Sequence, residues 1–179
     1  MHDVVLTLIG PDRPGLVESV ASVISAHGGN WLESRMSRLA GQFAGILRAE
    51  LPPARVADAL QALSALESRG LRVVVEMAPD PAAVERAATN RRMRLDLVGL
   101  DRPGIVREVS QLLARHGVNV EELVTNRVSA PMSGETLFEA HVEVAVVAST
   151  DLDALRAALE RTANDLVVDV KLEDAPPKT

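Results

Sequence analysis

GPDRPGLVESV runs from Gly10 to Val20, and GLDRPGIVREV runs from Gly99 to Val109. Moving Gly10 onto Gly99, a shift of 89 residues, superposes the two halves of the chain through this region without a gap. The matched pairs are Gly10/Gly99, Asp12/Asp101, Arg13/Arg102, Pro14/Pro103, Gly15/Gly104, Val17/Val106, Val20/Val109, His27/His116, Gly28/Gly117, Asn30/Asn119 and Glu33/Glu122. So long a repeat indicates two copies of a small domain rather than a solenoid, whose repeats are typically ~20–50 residues.

Each half predicts the same six elements. Leu95 and Leu97 alternate with charged residues, as in a half-buried strand, and apolar residues at helical spacing follow each motif up to Gly28 or Gly117. Two strands, a second helix and a last strand come next. The predicted ranges are Asp3–Ile9, a helix from Leu16, Trp31–Leu39, Gln42–Leu51, Ala54–Arg69 and Leu71–Met77, and then Met93–Val98, a helix from Ile105, Val118–Val128, Thr136–Val147, a helix capped at Thr150-Asp151 and Leu166–Leu172.

The order β-α-β-β-α-β, found twice, predicts the α+β class. We expect two tandem ferredoxin-like domains, each an antiparallel sheet with its helices on one face. The predicted boundaries are residues 1–78 for the first domain, 79–91 for a linker, 92–173 for the second domain and 174–179 for a flexible tail. The bare face and edges of a four-stranded sheet favour pairing with another sheet, within one chain or between two, so a homo-oligomer is expected.

Composition excludes several classes of partner. The 179 residues carry a net charge of −6, and Trp31, Phe43 and Phe138 are the only Trp, Phe or Tyr residues, which argues against direct binding of nucleic acid. The one basic cluster, Arg86 to Arg94, lies at the predicted linker. No apolar run is long enough for a membrane span, and the start of the chain does not resemble a signal peptide. A cytoplasmic protein is therefore expected.

The chain carries no recognisable catalytic signature. Cysteine is absent, and no nucleophile elbow, Walker A loop, dinucleotide glycine pattern or HExxH is present. The histidines, His2, His27, His116 and His141, are not at the spacing of metal ligands. We therefore expect no catalytic residue, no metal and no cofactor.

The loop before each first helix has the composition of a small polar site. Pro14 suits the first helical position, Asp12 can cap the first turn, and Gly15 leaves the helix-start amides open to an anion. Asn30, after the helix, is expected to return close to this loop, so that amides bind a carboxylate while Asp and Asn oxygens bind an ammonium group. The alternative is a well-formed helix start with no ligand and a turn at Asn30. Pro103, Asp101, Gly104 and Asn119 repeat the arrangement.

The pattern D-R-P-G-[LI]-V, a helix and then H-G-x-N resembles the ACT domain, a ferredoxin-like regulatory module that often binds amino acids at domain interfaces. Two such motifs in tandem, with SRLAGQFAGILR at Ser37–Arg48 after the first, resemble the glycine cleavage system transcriptional repressor family.

The resemblance implies a non-enzymatic regulator that responds to a small amino acid, glycine or serine, and acts on a transcriptional activator protein without touching DNA itself. The effector residues that it implies are Asp12, Arg13, Gly15, Asn30, Asp101, Arg102, Gly104 and Asn119. Many members that bind amino acids have Asn where this chain has Asp12 and Asp101. The alternative function is that of a detached ACT-type regulatory subunit of an enzyme of amino-acid metabolism.

Overall fold

The computed structural model describes residues 1–79, 90–130 and 134–175. The chain divides into two units, Met1–Pro81 and Ala82–Thr179. Most of the predicted linker, including Arg86, lies outside the described residues, as do residues 131–133 and the predicted tail from Pro176 onward.

Both units contain the predicted β-α-β-β-α-β order. The first has β1 (His2–Pro11), α1 (Leu16–Ala26), β2 (Asn30–Leu39), β3 (Gln42–Leu51), α2 (Val56–Ser64) and β4 (Arg72–Met77). The second has β5 (Arg91–Leu100), α3 (Ile105–Arg115), β6 (Asn119–Ser129), β7 (Thr136–Val146), α4 (Leu152–Leu166) and β8 (Val168–Asp174). The strand orders are β2-β3-β1-β4 and β6-β7-β5-β8, with every pair antiparallel. The predicted fold class is confirmed.

Each sheet buries one face under its two helices. In β7 the even-numbered residues from Phe138 to Val146 are buried, while Glu139, His141 and Glu143 alternate with them on the open face. This alternation is the one that the sequence predicted for a sheet covered on one side. The two cores are built mainly of Leu, Val, Ile and Ala and contain no buried polar or charged residue among those described.

The first helix of each unit ends as predicted. Gly28 and Gly117 have positive φ angles of 70° and 68°. In the first unit the Gly29 N–H donates to the Ile24 carbonyl and the Gly28 N–H to that of Ser25, the two hydrogen bonds of a Schellman motif. His27 and His116 close these helices, and each ring Nδ1 lies within hydrogen-bond distance of the carbonyl four residues earlier, at 2.8 and 3.0 Å. These histidines thus have a structural role.

Some boundaries differ from the prediction. The helix predicted over Ala54–Arg69 is α-helical only at Val56–Ser64, with 3₁₀ turns on both sides. Leu166 ends α4 instead of starting the last strand, because Val167 adopts a left-handed conformation with φ 54°. Asp151 caps α4 as predicted, accepting from the backbone N–H groups two and three residues later.

Candidate functional site

The loop after β1 starts the first helix differently from the prediction. Gly15 is the N-cap of α1, in a left-handed conformation with φ 88°, and Gly104 is that of α3, with φ 101°. Pro14 therefore precedes the cap instead of occupying the first helical position. Neither cap position has a side-chain hydrogen bond, so the prediction that Asp12 and its counterpart Asp101 cap the helices is wrong. No side chain of the described residues caps the first turn of either helix, so its N–H groups are left open.

The two loop aspartates pair with arginines on the edge strands instead. Asp12 forms an ion pair with Arg38 on β2, with 2.8 Å between carboxylate oxygen and Nε, and Asp101 forms one with Arg127 on β6 at 2.7 Å. The backbone also fixes each loop, since the Asp12 N–H donates to the Gly41 carbonyl in the β2–β3 turn at 2.9 Å. The arginines were not predicted as site residues, although the 89-residue shift also superposes Arg38 on Arg127. That repeat was the signal that could have found them.

The arginine of each loop contacts the second helical segment of its unit rather than the edge strand. Arg13 donates to the carbonyl of Arg69, and Arg102 donates to the carbonyl of Asp165 at 3.5 Å. Both carbonyls lie in the last turn of the second helical segment, where main-chain acceptors lack helical partners. Arg13 and Arg102 therefore tie the loop to the end of that segment. This contact has a structural function in each copy.

The first glycine of each motif is required by close packing. A Cβ atom at Gly10 would lie 2.4 Å from the Gly70 carbonyl oxygen. A Cβ atom at Gly99 would lie 2.4 Å from Val168 Cγ1 and 2.7 Å from the Val167 carbonyl oxygen. The start of the loop therefore touches the junction between the second helical segment and the last strand of its unit.

Asn30 does not lie near the loop of its own unit. It pairs with Glu50, which pairs with Asp3 at the start of β1, whereas Asp12 follows the end of β1. The length of β1 separates the two ends by about 27 Å, at roughly 3.4 Å per residue. The predicted convergence of Asp12, Gly15 and Asn30 within one domain is therefore wrong, because α1 carries the chain back to the start of the sheet. Asn119 is placed in the same way: it pairs with Ala145, which pairs with Arg92 at the start of β5.

Each unit therefore has a polar corner at the loop end of its edge strand. The helix-start amides supply donors, the aspartate supplies acceptors and the edge-strand arginine balances its charge. The edge strand beside this corner is exposed along most of its length in both units. The four sequence-predicted residues of the first copy thus separate into Asp12 and Gly15 at the corner, Arg13 behind it, and Asn30 at the far end.

The open sheet face of the second unit carries a network of charges. Asp96 Oδ1 on β5 lies 2.5 Å from His141 Nδ1 on β7 and accepts from Arg94 at 2.9 Å. Burial raises the pKa of Asp96, but the hydrogen bonds from His141 and Arg94 and the charge of Arg94 outweigh it, so the pKa is lowered overall. Arg92 bridges Glu121 and Glu143 on the same face.

This lowered pKa predicts a pH dependence of stability. The contribution of Asp96 is complete above the ordinary carboxyl pKa and is lost as the pH falls through the lowered pKa of the folded protein. Asp96→Asn should cost about 0.5–1 kcal/mol at neutral pH and flatten the fall in the free energy of urea unfolding below about pH 5. Glu139→Gln, on the same face, is the control and should leave the profile unchanged. Parallel profiles for wild type and Asp96→Asn would contradict the prediction.

Among residues 1–79, 90–130 and 134–175, no group of three His, Asp or Glu side chains could hold a metal ion. In the same residues no helix is long and apolar enough to cross a membrane.

Comparisons with known proteins agree with the duplicated fold. Two ACT domain models match the chain, one at residues 2–77 and the other at residues 94–162. The chain is 24% identical over 167 residues to the glycine cleavage system transcriptional repressor of Escherichia coli, covering 86% of this chain and 78% of that protein.

Two solved structures share the whole architecture. A crystal structure of an unknown protein from Galdieria sulphuraria superposes with a TM-score of 0.85 at 28% identity, covering 98% of this chain and 99% of that one. A candidate glycine cleavage system transcriptional repressor superposes with a TM-score of 0.71 at 18% identity, covering 98% of both chains. Since the two family matches together take in most of the sequence, the chain belongs to the ACT domain family and carries two ACT domains in tandem.

Proposed function

We propose that this protein is a non-enzymatic regulator that binds a small amino acid at the edges of its ACT domains and controls a partner protein. The family supports a regulatory role, and a repressor of transcription is among its relatives. The observation that carries the proposal is the polar corner, where an Asp–Arg pair lies at the loop that starts the first helix, built from the same residue types in both units.

The proposed arrangement is a two-fold pairing of edge strands between two copies of the chain. β2 and β6 are edge strands, and apolar side chains on or near them are exposed. The exposed fractions are 45% for Val17, 43% for Val106 and 46% for Leu123. An exposed strand edge with apolar neighbours favours pairing with another strand. Identical edges related by a two-fold axis pair antiparallel.

Antiparallel pairing explains how the separated residues can meet. It places the start of β2 in one copy beside the end of β2 in the other. Asn30 of one copy would then face the corner of Asp12 and Arg38 in its partner. The same reasoning applies to Asn119 and the corner of Asp101 in the second unit. The site that the motif predicted is in this proposal built by two copies rather than by one.

A free amino acid suits this composite site. The helix-start amides after Gly15 bind the α-carboxylate, aided by the positive end of the helix dipole. Asp12 and the Asn30 carbonyl oxygen of the partner accept from the ammonium group. Glycine and serine are the first candidates, because the relative's name ties that protein to glycine cleavage. A ligand bound between copies changes function only if it prefers one arrangement of the copies.

Thermal unfolding tests the effector. Glycine or serine at about 100 times its Kd should stabilise the protein by about 2.7 kcal/mol, which raises Tm by roughly 10 °C. Glycinamide, which lacks the carboxylate, and N-acetylglycine, which lacks the ammonium group, are the controls and should produce no rise. If no small amino acid raises Tm at concentrations up to about 10 mM, the effector proposal fails.

The proposed partner is a transcriptional activator, and the acidic chain itself does not contact DNA. Purification of the tagged chain from its own cells, with and without glycine, tests this. A DNA-binding activator retained in a glycine-dependent manner supports the proposal. A catalytic chain retained instead would assign the protein as the regulatory subunit of an enzyme.

A further inference from the structure

The second unit has a polar groove that the repeated motif does not explain. The groove lies between α3 and α4, which pack side by side on the covered face of the sheet, and its volume is about 490 Å³. Binding sites for small molecules are typically ~300–1,000 Å³. Its polar lining includes Glu108, Gln111, Arg115, Arg161, Thr162 and Asp165.

Two arginines of the groove have no ion-pair partner in the described part of the chain, although the carboxylates of Glu108 and Asp165 line the same groove. Neither Arg115 nor Arg161 makes an ion pair or a side-chain hydrogen bond with another residue of the described part of the chain. The nearby carboxylate of Glu108 already has a cation, since Arg102 lies 3.8 Å from it. The guanidinium groups from two neighbouring helices are therefore available to one ligand.

The remaining lining suits a small polar ligand. Leu112 and Ala158 are buried and form the floor, so a bound group would be shielded from water on that side. Gln111 and Thr162 add an amide and a hydroxyl group that can donate hydrogen bonds. Guanidinium groups bind phosphate and carboxylate oxygens through paired, charge-assisted hydrogen bonds.

The first unit lacks the polar side chains that α3 contributes to this groove. The 89-residue shift places Ser19, Ser22 and Ala26 where the second unit has Glu108, Gln111 and Arg115. The two units nevertheless have the same fold, so the charged side chains on α3 are not needed to form it. Their presence in one copy alone points to a role of that copy.

We propose that the groove between α3 and α4 binds a small polyanion, bearing phosphate or carboxylate groups, bridged between Arg115 and Arg161. This site is on the helical side of the second unit and shares no residue with the edge-strand corners. It therefore stands whether or not an amino acid binds at those corners.

Titration calorimetry and backbone NMR of the full chain test the groove, with pyrophosphate and citrate as probes. One or both should bind saturably and shift the amide signals of α3 and α4. A preference for pyrophosphate would identify a phosphate ligand, and a preference for citrate a carboxylate ligand. Arg115→Ala and Arg161→Ala should each weaken binding about tenfold or more, as expected for losing a charge-assisted hydrogen bond.

Arg107→Ala is the matched control, because it removes the same charge from an exposed position of α3 outside the groove. Binding within about twofold of wild type is expected for this variant. Equal weakening by all three substitutions would mean only a general effect of charge and would overturn the proposal. Absence of saturable binding of both probes to folded wild-type protein would also overturn it.

Discussion

Gly10→Ala and Gly99→Ala are each expected to destabilise the protein by about 3 kcal/mol, at the upper end of overpacking costs. The added methyl group at residue 10 would lie 2.4 Å from the backbone oxygen of Gly70. The one at residue 99 meets the Val167 carbonyl oxygen at 2.7 Å as well as the Val168 side chain. Because backbone atoms are struck, no change of rotamer relieves the overlap, and the loop or the last strand must move.

Thermal and urea unfolding measure this loss, and a fall of roughly 10 °C in Tm is expected. Gly41→Ala is the control: its φ is 78° but no atom lies within 4 Å of the added carbon, so only backbone strain of roughly 1–2 kcal/mol is expected. Adding Val168→Ala to Gly99→Ala should restore little, because the Val167 carbonyl contact remains. Losses no greater than that of Gly41→Ala would show that the close approach is not tight in solution.

The elements of the fold were predictable because they depend on local patterns. The alternation from Phe138 to Val146 predicted a strand, and the glycines after the first helices predicted where those helices end. Because the domain is duplicated, each element could be predicted from two stretches of sequence. The irregular second helix of the first unit was missed, since the apolar spacing from Val56 to Leu66 is compatible with both α and 3₁₀ geometry.

The candidate site was only partly predictable. The position of Asp12 in the sequence is typical of a residue that caps a helix. It instead pairs with Arg38, a tertiary contact with the edge strand that the local sequence does not reveal. Asn30 was placed beside the loop because it follows the helix closely in sequence. Strand register determines its position instead, and the register puts it at the opposite end of the sheet.

Some residues of the duplicated motif are used by the fold, and others are open to a ligand. Contacts inside the unit account for two of its residues. Gly10 packs against the backbone of Gly70, and Arg13 donates to the carbonyl of Arg69. The helix-start amides after Gly15 have no such partner among the residues that the structure describes, and Asp12 has one that a ligand could share. A binding role therefore rests on Gly15 and Asp12 more than on the whole motif.

Mixing two defective chains gives the sharpest test of a site shared between copies. One chain carries Asp12→Ala and Asp101→Ala, and the other carries Asn30→Ala and Asn119→Ala. Each alone should lose amino-acid affinity by about tenfold or more, because each removes charged or polar partners of the ammonium group. All four positions are exposed or half-buried, so both chains should still fold.

A one-to-one mixture of the two chains should regain wild-type affinity at about a quarter of the sites. Random pairing makes half of the dimers mixed, and each mixed dimer holds two intact sites of four, one at each pair of edges. Asn164→Ala in α4, an exposed asparagine outside the corners and the edge strands, is the control and should bind normally. If sedimentation shows mixed dimers but calorimetry detects no recovered sites, the aspartate and the asparagine do not act across the two-fold axis. The amino acid would then be held by the loop of a single copy, and the separation of Asn30 from Asp12 along β1 would exclude the asparagine from the site.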